Sequence, residues 1–251
     1  MEEKNPTDRI VEKIKPYIES KGFLYKKSQR DFVRKFELGR QRFSLNFDGR
    51  GGLTTVNCGF FIYFDELVKL FGEIFDTKTG DWNFQIGANS LKGIDTIFDA
   101  KTGFLFDDKF GNMTLSEKSK FNSYEVHPEH KIKQGTDFII KAFELYAEEH
   151  FNKIDNYETL YEAFIHTIKV YNQSSNPMTK PFLNLNLRYD ELNLLYYSLI
   201  LALCLNKDTT AINELAENIY KRYVVGVDEV KEKVQKIYNF DKIENLKKRI
   251  L

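Results

Sequence analysis

Asn46–Phe64 reads NFDGRGGLTTVNCGFFIYF, and its Gly49-Arg50-Gly51-Gly52 core admits two readings. A loop that cradles phosphate aims converging backbone amides from the amino terminus of a following helix. The residues after Gly52 are instead Leu53-Thr54-Thr55-Val56-Asn57, rich in β-branched side chains that suit a strand. On the near side, Phe43, Leu45 and Phe47 alternate with Arg42, Ser44 and Asn46, the period of a half-buried strand. On the far side, Val56, Cys58, Phe60, Ile62 and Phe64 place apolar groups on one face of a longer strand. Asp48–Gly52 is therefore expected to be a hairpin connection whose glycines supply positive φ. A helix starting at Gly52 would contradict that reading.

Working outward, Phe61 and Tyr63 make the end of the second strand apolar on both faces, so another element is expected to cover it. Upstream, Asp31–Glu37 is a shorter strand, with Leu38-Gly39-Arg40 as its turn. The chain opens on a helix with Ile10, Val11, Ile14, Tyr17 and Ile18 on one side. Thr7 or Asp8 is its expected cap and Gly22 its stop, and Pro16 removes an amide donor inside it. Downstream, Asp65 is expected to cap a helix whose apolar side is Leu67, Leu70, Phe71, Ile74 and Phe75.

Ile74–Gly80 (IFDTKTG) is echoed by Ile97–Gly103 (IFDAKTG). A Lys-Thr-Gly triplet marks the active-site strand of penicillin-recognising serine enzymes, but their Ser-x-x-Lys nucleophile motif is missing here. Two polar turns, each leading into a short strand (Trp82, Phe84 and Ile86; Phe104–Phe106), account for the echo. Asp107–Gly135 is polar and without periodicity, a loop or linker. Helical patterns follow near 136–152, 157–172, 189–205, 209–223, 227–238 and 241–250, broken by Asn176-Pro177 and Lys180-Pro181. The expected fold is α+β: an antiparallel sheet with flanking helices over residues 1–130, followed by an all-helical carboxy-terminal bundle over residues 131–251.

The chain has 251 residues, 42% hydrophobic and 29% charged, enough for a sizeable core and too apolar for disorder. Formal net charge is zero, so no overall field draws it to nucleic acid or membrane, and any electrostatic function must be local. Cys58 and Cys204 lie in separate apolar runs, which suits inert packing in a reducing compartment better than a disulfide framework. The longest apolar run, Leu194–Leu205, has twelve residues where a membrane span takes ~20, so it reads as a core helix. With the charged start MEEKNPTDRI, a cytoplasmic location is expected.

His127-Pro128-Glu129-His130 offers two imidazoles and a carboxylate, short of the three or four ligands a zinc site needs. Glu162 and His166 share a helix face at i, i+4, and Glu148, Glu149 and His150 cluster on the preceding helix. Di-iron bundles require Glu three residues before His, and Ala147 and Ala163 occupy those places. Nucleotide fingerprints, a G-x-S-x-G elbow and H-E-x-x-H are all missing, so no cofactor, metal or catalytic residue is assigned.

One local signal remains. Lys21–Arg50 holds nine basic residues against Asp31, Glu37 and Asp48, a net +6, whereas Lys141–Glu162 carries −4. Two solvated faces that balance each other would explain both. A binding surface would explain the first, with Arg34, Lys35, Arg42 and Arg50 sharing one rim.

The helix ending in Lys21-Gly22-Phe23, the basic and aromatic strand around Phe32–Arg34 and the Asn57-Cys58-Gly59 step resemble a bacterial family catalogued only as domain of unknown function 4304. Trp82–Gly87 fits that layout as a tryptophan-bearing strand, and the resemblance covers at most the first half of the chain. It implies a fold and no activity, with an immunity-like or other protein-binding role by analogy. The expectation is a non-enzymatic bacterial interaction protein that binds an acidic protein partner through a basic sheet face. Its rivals are an RNA- or DNA-binding module using window 21–50, and a hydrolase or nuclease assembled from distant residues.

Overall fold

A computed structural model describes residues 6–50, 53–76, 124–125, 132–173, 187–222 and 226–240. The first helix, α1 (Pro6–Ser20), begins on its proline, whose fixed φ and missing amide suit a first turn, so the expected cap at Thr7 or Asp8 lies inside it. Ile10, Val11, Ile14 and Ile18 are buried along one side. Gly22, at φ 84°, turns the chain out of the helix.

Three strands follow: β1 (Leu24–Lys26), β2 (Asp31–Phe36) and β3 (Gly39–Arg50). With β4 (Leu53–Phe64) and the two-residue β5 (Tyr124–Glu125) they form one sheet in the order β1-β2-β3-β4-β5. β1–β2, β2–β3 and β4–β5 pair antiparallel. Only residues 51 and 52, outside the described residues, separate β3 from its neighbour β4, a link short enough for an antiparallel hairpin alone. Of the expected bend Asp48–Gly52, residues 48–50 belong to β3, and the rest lies outside the described residues. Likewise the β2–β3 turn shrinks to Glu37 and Leu38, with Gly39 and Arg40 already paired.

Residues 132–153 form one continuous helical run: α3 (Ile132–Ala142), a π-helical segment (Phe143–Glu148) and α4 (Glu149–Lys153). Residues 132–135, expected in a loop, are its first turn. Phe143, Ala147 and Phe151 recur every fourth residue and are buried. Phe143 meets Phe23 and Phe43 edge-on at 5.5 and 5.2 Å between ring centroids. Phe151 meets Phe60 of β4 edge-on at 6.4 Å. These rings explain why the run belongs with the sheet.

The remaining helices are α2 (Asp65–Phe75), α5 (Tyr157–Gln173), α6 (Leu187–Cys204), α7 (Thr210–Arg222) and α8 (Val227–Tyr238). Asp65 does not cap α2; the cap position is Phe64, with extended backbone and no side-chain hydrogen bond. Asp65 and Glu66 instead place their carboxylates in the first turn, where the helix dipole favours them. In α6, Leu194–Ala202 are all buried, so the run expected to be a core helix is one. Phe71 of α2 stacks on Tyr197 of α6 at 4.6 Å and 18°. No helix among the described residues is long and apolar enough to cross a membrane.

The elements fall into two compact units. One holds α1, β1–β3, β4 to Ile62, β5, α3 and α4; the other holds Tyr63, Phe64, α2 and α5–α8. This division differs from the expected 1–130 and 131–251, since α2 joins the helical unit and α3–α4 the sheet unit. The second copy of the echo, the strands expected near Trp82 and Phe104, His127–His130 and the 241–250 helix lie outside the described residues.

Candidate functional site

Strand alternation and register sort the basic window onto two faces of the sheet. Phe32 pairs with Phe43 and Arg34 with Gln41, so these four share the face that α1 and the Phe143–Phe151 rings cover. On the opposite face three cross-strand rows follow from the pairing. Lys26, Asp31 and Ser44 form the first, Leu24, Val33 and Arg42 the second, Lys35 and Arg40 the third.

Arg34 is therefore not on the same surface as Lys35 and Arg42. Its Nε donates to Gln41 Oε1 at 2.8 Å, and its Nη1 donates to the Lys21 carbonyl just past α1 at 3.1 Å. The guanidinium carbon sits 4.7 Å from the Phe23 ring centroid. Gln41, itself buried, donates through Nε2 to the Phe151 carbonyl at 2.9 Å, in the last turn of α4. Arg34 thus meets the carbonyl end of α1 directly and that of α4 through Gln41, where partial negative charge gathers. Burial holds its pKa below the usual arginine range.

Other cations of the window are also engaged within the fold. Lys21 Nζ lies 2.9 Å from Glu148 Oε1, and that contact raises its pKa. Tyr17 donates to Glu144 Oε1 at 2.5 Å, so two carboxylates of the acidic helical stretch turn toward α1. Arg30, at φ 55°, lies 5.7 Å over the Phe47 ring. The Arg50 side chain falls outside the described residues.

The outer face of β1–β3 carries a cluster of basic residues. Lys26, Lys35 and Arg40 are exposed, and Lys35 and Arg40 are direct cross-strand neighbours. Arg42 lies 4.5 Å over the Phe61 ring, its Nε 3.7 Å from Asp31 Oδ2. Asp31, buried on this face, faces Lys26 across β1–β2, and Asp48 of β3 shares the alternation of Arg40 and Arg42, so the four cations outnumber the acids of these strands. Of the four residues expected on one rim, Lys35 and Arg42 share this face, where register also sets Lys26 and Arg40. Counting by twos from the Glu37-Leu38 turn would have found Arg40.

Elsewhere, Glu162 and His166 are exposed on α5. Among the described residues no three His, Cys, Asp or Glu side chains group as metal ligands would. Burial pushes the Cys58 thiol up, away from nucleophilic use. An open groove of about 550 Å³ in the helical unit is lined by Asn172, Asn213, Asn218 and neighbouring polar side chains. Its amides are largely occupied internally: Asn218 donates to Asn172 Oδ1, Asn172 to the Ala211 carbonyl, and Tyr238 to Asn213 Oδ1.

No family model matches the chain, and no curated protein or solved structure is significantly similar to it.

Proposed function

We propose that this chain is an interaction protein, immunity-like in the sense suggested by its resemblance, whose basic sheet face binds an acidic protein partner. One observation carries the reading: the register gathers Lys26, Lys35, Arg40 and Arg42 on a single face of β1–β3, more cations than those strands bring acids to it. Such a surface steers an oppositely charged partner and offers bidentate arginine contacts to carboxylates.

The same register weighs against single-stranded nucleic acid, which binds by stacking bases on exposed rings. Phe32, Phe43, Phe36 and Phe47, the aromatics that lace the window, belong to the other face.

The test reverses charge at Lys35 and Arg40. Arg42 is unsuited, because a carboxylate there would sit beside buried Asp31. Lys35→Glu with Arg40→Glu changes two exposed side chains, so stability should change by no more than about 1 kcal/mol. Proteins captured from lysate by the wild type should be acidic and should be lost by the folded variant. Capture that survives the reversal, or that ribonuclease abolishes, overturns the reading.

A further inference from the structure

The outer face is not uniformly charged. Between the Lys26 row and the Lys35–Arg40 row, on the side of the middle row away from Arg42, lies an apolar step, Leu24 beside Val33. Leu24 is 63% exposed, one of two large hydrophobic side chains left open among the described residues, while Val33 is half-buried. A solvated leucine flanked by cations on both sides gives the patch an anchor that charge alone does not supply.

Edge pairing does not explain that exposure. β1 is the sheet's edge, but the Tyr25 amide donates at 3.4 Å to Glu19 Oε1. An incoming strand would have to displace this contact, whereas on the face Leu24, Lys26, Lys35 and Arg40 are exposed beside buried Asp31 and Phe61.

We propose that the face takes an extended acidic segment that places one apolar side chain against Leu24 and Val33, with carboxylates on either side. The spacing follows from strand geometry. Alternate residues on one face are roughly 7 Å apart, so Lys26 and the Lys35–Arg40 pair lie in rows roughly 14 Å apart, with Leu24 and Val33 in the row midway, which ends on Arg42. An extended ligand with the same rise matches this as acid-x-apolar-x-acid, its three recognition side chains on one side of the backbone. One carboxylate meets Lys26, the apolar group meets Leu24, and the other carboxylate meets Lys35 and Arg40. This inference rests on the basic-face reading and adds the sequence pattern of the partner.

Fluorescence anisotropy with the full chain at low salt tests it, using two labelled peptides with cores Glu-Ser-Leu-Ser-Glu and Glu-Ser-Ser-Ser-Glu. The leucine peptide is expected to bind roughly fivefold more tightly, the gain from partly burying two aliphatic groups. Leu24→Ser should erase that difference and leave the serine peptide's affinity unchanged. Lys35→Glu with Arg40→Glu should abolish binding of both, with circular dichroism melting confirming that each variant is folded. Equal affinities for the two peptides, or a difference that survives Leu24→Ser, overturn the anchored pattern while sparing the charge reading. Salt-independent binding, or binding of neither peptide, overturns both. A Leu24-dependent dimer in sedimentation would show that a second copy occupies the face and would also overturn the proposal.

Discussion

The Gln41 amide donates to the Phe151 carbonyl and accepts from Arg34 Nε, so a single buried side chain links a strand, a helix end and a half-buried cation. Replacing it with leucine keeps much of the volume and removes both hydrogen bonds. A buried polar group left unmet costs about 1–3 kcal/mol, and here a carbonyl and a guanidinium are each affected. Gln41→Leu is expected to destabilise the chain by at least about 2 kcal/mol in urea denaturation, where Ser44→Ala on the opposite face changes little. An effect below ~0.5 kcal/mol would mean that water serves both groups equally well. The same geometry separates Arg34 from its sequence neighbour Lys35: adjacent residues of a strand point to opposite faces, and Arg34 finds its partners in Gln41 and the Lys21 carbonyl.

Helix ends show how far local signals reach. At the start of α5, Asn156 Oδ1 accepts the Thr159 amide at 2.9 Å and Thr159 Oγ1 accepts the Asn156 amide at 3.3 Å, a reciprocal cap. Asn156→Ala should lower stability by about 1 kcal/mol, and Asn156→Asp should largely restore it. Chemical denaturation of the three proteins decides this, and an alanine variant as stable as wild type would count against the cap. At α7 the Asp208 carboxylate accepts the Thr210 amide and hydroxyl at 3.1 and 2.8 Å, and these bonds hold its pKa below the usual range. At α2 the sequence offers Asp65 as a cap, yet the helix starts one residue earlier in effect, because Phe64 is held as the last residue of β4. There the strand dictates the helix start, and the carboxylate is left to act through the dipole.

Titration extends over the whole chain. Burial raises the pKa of Tyr25, Tyr161, Tyr197 and Tyr220, and takes Tyr157 to about 12; Tyr17 is raised chiefly by its hydrogen bond to Glu144. Both compact units carry such groups. A phenol whose folded pKa exceeds its unfolded value of about 10 stabilises fully below that value, and the contribution is lost as pH rises through the folded pKa. The thermal midpoint is therefore expected to stay level from about pH 7 to about pH 9 and to fall steeply above about pH 10. Tyrosinate absorbance should grow in step with unfolding rather than ahead of it. Free titration of every tyrosine in a still-folded chain would contradict the burial on which the fold rests. Asp208 has the opposite sign: its contribution is present above the unfolded pKa and lost as pH falls through the folded one.

The amino-acid sequence alone determined whatever depends on period and local chemistry. The alternation at Phe43–Phe47 and Val56–Phe64 defined two strands, the glycines between them ruled for a bend, and the unbroken apolar run at Leu194–Leu205 marked a core helix. Those features are written in neighbouring residues, because side-chain direction repeats every two or 3.6 positions. Tertiary structure alone decided which residues meet across long separations. Phe143 and Phe151 join the sheet's aromatic core rather than the helical half, Glu148 takes Lys21, and Gln41 draws Arg34 away from the surface. The basic face exists only once register has set Lys26, Leu24, Val33, Lys35 and Arg40 side by side, since that pairing is fixed between strands and is not carried by any one of them.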